Sequence, residues 1–148
     1  MERKTKRIIL IGRSAAGKTT LSQYLNHEAL RYYKTQTVQV INQRVIDTPG
    51  EYLERVHMRG ALMVSSTDAD LIVLVQDATE NGTMFPPAYT SMFAKPSIGV
   101  VTKSDLASPE QIEKAKEYLR MAGTRDIFVT SSVEGSGFPP LMELLGFE

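Results

Sequence analysis

The sequence predicts an α/β domain of three layers, a single unit over residues 1–148. Three observations predict it. Short unbroken apolar runs recur along the chain. Helical segments separate them. The first run leads directly into a glycine-rich loop. Unbroken apolar strands suit a parallel sheet covered on both faces, and strand–helix alternation is the pattern that builds one.

The elements follow in order. RIILIG, residues 7–12, is a short buried strand, and RSAAGKTTLSQYLN is a loop opening into a helix. HEALRYYKTQ is a connecting loop. TVQVINQRVID, residues 37–47, alternates about a turn near Asn42 and reads as two short antiparallel strands. Pro49 and Gly50 then punctuate the chain. Residues 54–66 form an irregular helix interrupted by Gly60, with Met58 and Met63 filling its interface with the sheet. ADLIVLVQDA is a second buried strand, AYTSMF opens a short helix after a packed turn at Phe85, and SIGVVTKSD is a third strand ending in a polar turn. SPEQIEKAKEYLRMAG is the cleanest helix. Ser108 is its N-cap, Pro109 its first position and Gly123 its stop, and Ile112, Ala115, Leu119 and Ala122 mark its apolar face. DIFVTSS is a further strand, and FPPLMELLGF is a short apolar helix.

Composition narrows the chemistry. The chain is 42% hydrophobic and 23% charged, with 17 basic residues against 17 acidic ones, so no global positive field exists to hold nucleic acid or an anionic membrane. There is no cysteine, which excludes disulfides, thiolate chemistry and cysteine-ligated metal centres. His27 and His57 are too few for a histidine-rich metal site. The apolar run after MERKTKR is too short for a secretory signal, and none reaches the roughly 20 residues that span a bilayer. A cytoplasmic protein is expected.

GRSAAGKT, residues 12–19, matches G-x-x-x-x-G-K-[ST] between a strand and a helix, the context in which that pattern cradles phosphate. Gly12 and Gly17 let backbone N–H groups along Ser14, Ala15 and Ala16 turn inward around anionic oxygens, and the helix N-terminus through Thr20 adds its dipole. Lys18 reaches the β and γ phosphates, where it stabilises the transferred phosphoryl group, and Thr19 coordinates Mg²⁺. Ordinary backbone angles are expected at Ala15 and Ala16.

Later segments resemble those of GTPases. DTPG, residues 47–50, resembles the Asp-x-x-Gly motif, which places Asp47 near Mg²⁺ through water and the Gly50 N–H at the γ phosphate. Thr102-Lys103-Ser104-Asp105 resembles the base-reading Asn-Lys-x-Asp motif. The Asp105 carboxylate can accept the N1–H and exocyclic N–H of guanine, and the Lys103 stem packs on the base or a neighbouring loop. Thr130-Ser131-Ser132 resembles the last base-side loop, where Ser131 and Ser132 approach the guanine oxygen. These motifs imply a P-loop NTPase of small GTPase-like, Ras-like fold, with a mostly parallel sheet and one antiparallel edge strand.

KTQ at 34–36, DTPGEY at 47–52 and VTKSDL at 101–106 together resemble the EutP/PduV family of bacterial ethanolamine and propanediol utilisation. The resemblance covers nearly the whole chain. It implies a place at the surface of a bacterial microcompartment, with a shell protein as partner, and an activating protein is expected as a further partner. Three functions stay open. The first is Mg²⁺-dependent GTP or GDP binding with slow GTP hydrolysis. The second is an acetate kinase-type phosphotransferase using ATP. The third is a shell-binding adaptor with a structural nucleotide.

Several residues depart from the GTPase pattern. Glu51 stands where many small GTPases place a water-orienting glutamine. It either pairs with Arg55 or serves as a general base. Ser14 replaces a glycine and crowds the hydrolytic water. Thr102 replaces asparagine, and weaker bracing of the phosphate loop is expected. Thr35 is preferred over Thr37 as the first-switch ligand to Mg²⁺. No arginine finger is identified in cis, so turnover without an activator is expected to be slow.

Overall fold

A computed structural model describes residues 7–13, 15–18, 20–23, 45–48, 53, 59–131, 134 and 136–145. Among them are five strands: β1 (Ile8–Ile11), β2 (Val45–Asp47), β3 (Leu71–Asp77), β4 (Ser97–Thr102) and β5 (Ile127–Val129). They form one sheet in the order β2-β1-β3-β4-β5, and every pairing between these strands is parallel. The register aligns Leu10 with Asp47 and Val73, and Asp77 with Thr102. Val45–Asp47 is the second half of the expected antiparallel pair. The first half, and with it the antiparallel edge strand, lies outside the described residues.

The unbroken apolar runs are explained by burial on both faces. Ile8, Leu10, Val73, Val75, Ile98 and Val100 pack on one face beneath Ala16, Leu21 and Leu141. Ile9, Ile11, Ile72, Leu74 and Val101 pack on the other. Helix α1 (Arg59–Ser66) contributes Leu62 to this second face, and α2 (Pro109–Ala122) contributes Ala115, Leu119 and Ala122. Helix α3 (Phe138–Leu145) brings Leu141 to the first face.

Helix α2 is capped as its sequence reads. The Ser108 side chain accepts from the Gln111 N–H, and the Gln111 side chain accepts from the Ser108 N–H, which closes a capping box. Gly123 ends the helix in the left-handed region with φ 114°. Gly60 lies inside α1 without breaking it. Met63 is 43% exposed, contrary to expectation. Among the described side chains of α1 the buried ones are Leu62 and Ser66, one turn apart, so Met63 is rotated toward solvent. Phe85 is buried and packs on Tyr89 with the rings tilted by 40°, and Tyr89 meets Phe93 edge-on in the packed turn. Among the described residues no helix is long and apolar enough to cross a membrane.

Candidate functional site

In an open parallel sheet the ligand crevice lies beyond the carboxyl ends of the strands, where the strand order reverses. Here β1 has β2 on one side and β3 on the other. The glycine loop leaves β1 at that point and starts a helix, in which Lys18 and residues 20–23 are helical.

The loop fits closely against its neighbours. A Cβ at Gly12 would lie 2.7 Å from the Val75 carbonyl oxygen of β3, so this position is closed to larger residues. Gly17 has φ 94°, and a Cβ there would press on Thr102. Ala15 has φ 65°, contrary to the ordinary angles expected from its side chain. The loop has to reverse there, and the left-handed conformation costs roughly 1–2 kcal/mol for a residue with a Cβ. Ala16 is buried and keeps a negative φ as expected, while Ala15 and Thr20 are exposed. Lys18 is only 6% exposed, and its Nζ donates across the loop to the Arg13 carbonyl at 2.9 Å.

The loop after β4 is joined to the glycine loop at two adjacent carbonyls. The buried Thr102 hydroxyl donates to the Ala16 carbonyl at 2.6 Å. Threonine does brace the loop, through one hydroxyl packed against Gly17. The Lys103 ammonium donates to the Ala15 carbonyl at 2.7 Å. Lys103 itself has φ 60°. The same ammonium meets Asp77 Oδ2 at 2.9 Å.

Asp77, at the end of β3, is a participant that motif reading passed over. Its Oδ1 accepts from the Thr79 N–H at 2.8 Å and the Thr79 hydroxyl at 2.7 Å. Burial works against its charge, but the bonds from Thr79 and Lys103 outweigh burial and hold the carboxyl below the usual aspartate range. A polar Gln-Asp pair ending a seven-residue apolar strand was the available signal. Gln76 is likewise engaged, donating to Glu80 at 2.8 Å, and Glu80 holds the Arg13 guanidinium at 2.6 Å.

Asp105 and Ser131 also meet. Ser131 is fully buried, and its hydroxyl donates to Asp105 Oδ1 at 2.7 Å while accepting from the Glu134 N–H. Asp105 lies in a 3-10 turn, Ser104–Leu106, tied to β5's exit by the Ser104 N–H to Thr130 carbonyl bond. A cleft of about 290 Å³ is bordered by Ala15, Gly17, Lys18, Thr20 and Lys103. Asp47 ends β2 beside β1. Ser14, Thr19, Thr35, Gly50, Glu51 and Ser132 lie outside the described residues.

Known proteins resemble this chain in sequence and in fold. A family model described as ethanolamine utilisation – propanediol utilisation, PduV-EutP, matches residues 5–146. The propanediol utilization protein PduV of Citrobacter freundii is 46% identical over 132 residues, covering 89% of this chain and 87% of that protein. The probable acetate kinase EutP of Escherichia coli K12 is 28% identical over 141 residues, covering 95% and 89%. Among solved structures, elongation factor SelB of Methanococcus maripaludis, in complex with the GTP analogue GppNHp, aligns with a TM-score of 0.68 at 23% identity. That alignment covers 97% of this chain and 33% of SelB, so the chain spans about a third of the larger factor. The FeoB G-domain of Methanococcus jannaschii aligns at 0.65 and 20% identity over 97% of both chains. At these identities the structural likeness is one of fold, a P-loop GTPase-like domain.

Proposed function

The chain belongs to the PduV-EutP family of ethanolamine and propanediol utilisation proteins, and we propose that it is a Mg²⁺-dependent guanine-nucleotide-binding protein with slow GTP hydrolysis that serves a bacterial microcompartment. One observation carries the reading. The loop suited to phosphate and the loop suited to the base are joined, through Thr102 to Ala16 and Lys103 to Ala15. A ligand that spans both would be a nucleotide.

In this reading Lys18 holds the β and γ phosphates and stabilises charge on the transferred phosphoryl group. Asp105, oriented by Ser131, accepts from the guanine edge through the capacity that Ser131 leaves open. Thr19, Thr35 and Asp47 would hold Mg²⁺, which when bound neutralises charge on the phosphate oxygens. Gly50 would sense the γ phosphate. Glu51 would either pair with Arg55 or take a proton from the attacking water. Breaking the terminal P–O bond of GTP with water yields GDP and phosphate. Arg13 is engaged by Glu80, which favours slow intrinsic turnover. An activating protein would add roughly 10³–10⁵ in rate.

A second reading, phosphoryl transfer from ATP to acetate, is favoured by the likeness to proteins named probable acetate kinase. One experiment separates the two. Dissociation constants for GTP, GDP, ATP and ADP with Mg²⁺ are measured for the wild type and Asp105→Ala, and products are assayed with and without acetate. Guanine preference lost in Asp105→Ala is expected, with phosphate release independent of acetate. Equal GTP and ATP affinities, untouched by that substitution, would remove the guanine reading. Acetyl phosphate formed from ATP would establish the kinase instead.

A further inference from the structure

We infer that Asp77 is a positioning residue that sets how long a nucleotide stays bound, acting through Lys103 on the left-handed corner of the phosphate loop. The inference rests on the nucleotide reading above and adds a residue that no motif assigns.

Among the described residues three non-glycine residues have positive φ, and two of them, Ala15 and Lys103, are the partners of one hydrogen bond. Conformations of this kind persist only where the surroundings over-determine them. Lys103 is the means here. Its ammonium is shared between the Ala15 carbonyl and the Asp77 carboxylate. Asp77 cannot swing away, because its other oxygen accepts two bonds from Thr79. The carboxylate is therefore a fixed anchor at the end of β3, and it lines a cleft of about 230 Å³ together with Ala15 and Lys103.

The anchor reaches both ends of a bound nucleotide. Lys103 lies between Thr102, which pins Ala16, and Asp105, which is held by Ser131. Holding the Lys103 side chain thus fixes the spacing between phosphate loop and base-side carboxylate. With asparagine at 77 the ammonium keeps the Ala15 carbonyl and a neutral amide oxygen as acceptors, but it loses the attraction of the carboxylate charge that held it in place. The corner at Ala15 then relaxes more often, and relaxation of a loop around a bound ligand is felt mainly in the dissociation rate.

The test measures release of methylanthraniloyl-labelled GDP and ADP, in Mg²⁺ and chased with unlabelled nucleotide, from the full chain. Asp77→Asn is expected to release nucleotide about tenfold faster than wild type. Asp77→Glu, which keeps the charge at a larger volume, is expected to stay within about threefold of wild type. A role in packing alone would make the larger residue the worse of the two. Thr79→Val, at an exposed position, removes one bond to the anchor and is expected to quicken release about threefold. It carries the test if Asp77→Asn does not fold by circular dichroism. Wild-type release from Asp77→Asn or Thr79→Val, or Asp77→Glu as fast as Asp77→Asn, overturns the inference while leaving nucleotide binding intact. A wild-type chain that binds neither labelled nucleotide overturns both.

Discussion

Ala15 shows how a side chain's ordinary preference gives way to its surroundings. An alanine at φ 65° stores strain that a glycine would not. Ala15→Gly is therefore expected to raise stability by about 0.5–1 kcal/mol, the strain removed less the added entropy of a glycine in the unfolded chain. Urea denaturation checks this as a higher midpoint at unchanged slope, and a lower midpoint would show that Ala15 is unstrained. The motif at 12–19 was legible from residue types and spacing, yet the angle at Ala15 was not. That angle depends on where Lys103 places its ammonium, 88 residues further along the chain. Thr102 makes the same point in the opposite sense. It offers one donor where asparagine would offer two, but it sits beside Gly17 and reaches the Ala16 carbonyl directly.

Helix α2 is the element whose sequence and structure agree most closely, because its determinants are local. Its cap, its first-turn proline and its terminal glycine all lie within one or two residues of the ends they control. Three of the four residues of the expected apolar face are buried, and Ile112 is half-buried against the same cluster. Ser108→Ala removes the acceptor for the Gln111 N–H and is expected to cost about 1 kcal/mol, read as a lower denaturation midpoint. Since α2 packs on β3 and β4 away from the phosphate loop, nucleotide affinity should be unchanged in the same variant. A loss of affinity would mean that α2 is coupled to the site. Helix α1 was less legible. Its apolar residues admit more than one rotational setting, and only packing selected Leu62 over Met63.

For the molecule as a whole, the residues that gather at the site come from the ends of different strands, and their loops are joined by side chains rather than by chain connectivity. Ligand binding should therefore be visible in global unfolding. Mg²⁺–nucleotide at about 100 times its dissociation constant is expected to stabilise the fold by about 2.7 kcal/mol and raise the melting temperature. Lys18→Ala should abolish most of that rise, and an equal rise in the variant would show that the lysine does not grip phosphate. The apolar runs, the caps of α2, the glycine loop and the parallel α/β class were all set by neighbours close in sequence, because strand and helix formation respond to local periodicity and turn chemistry. The anchor at Asp77, the left-handed corner at Ala15 and the brace from Thr102 arise from strand order, which puts the ends of β1, β3 and β4 side by side. Contacts across 26 to 88 residues leave no periodic trace in the chain, so they came into view only once the sheet had brought those ends together.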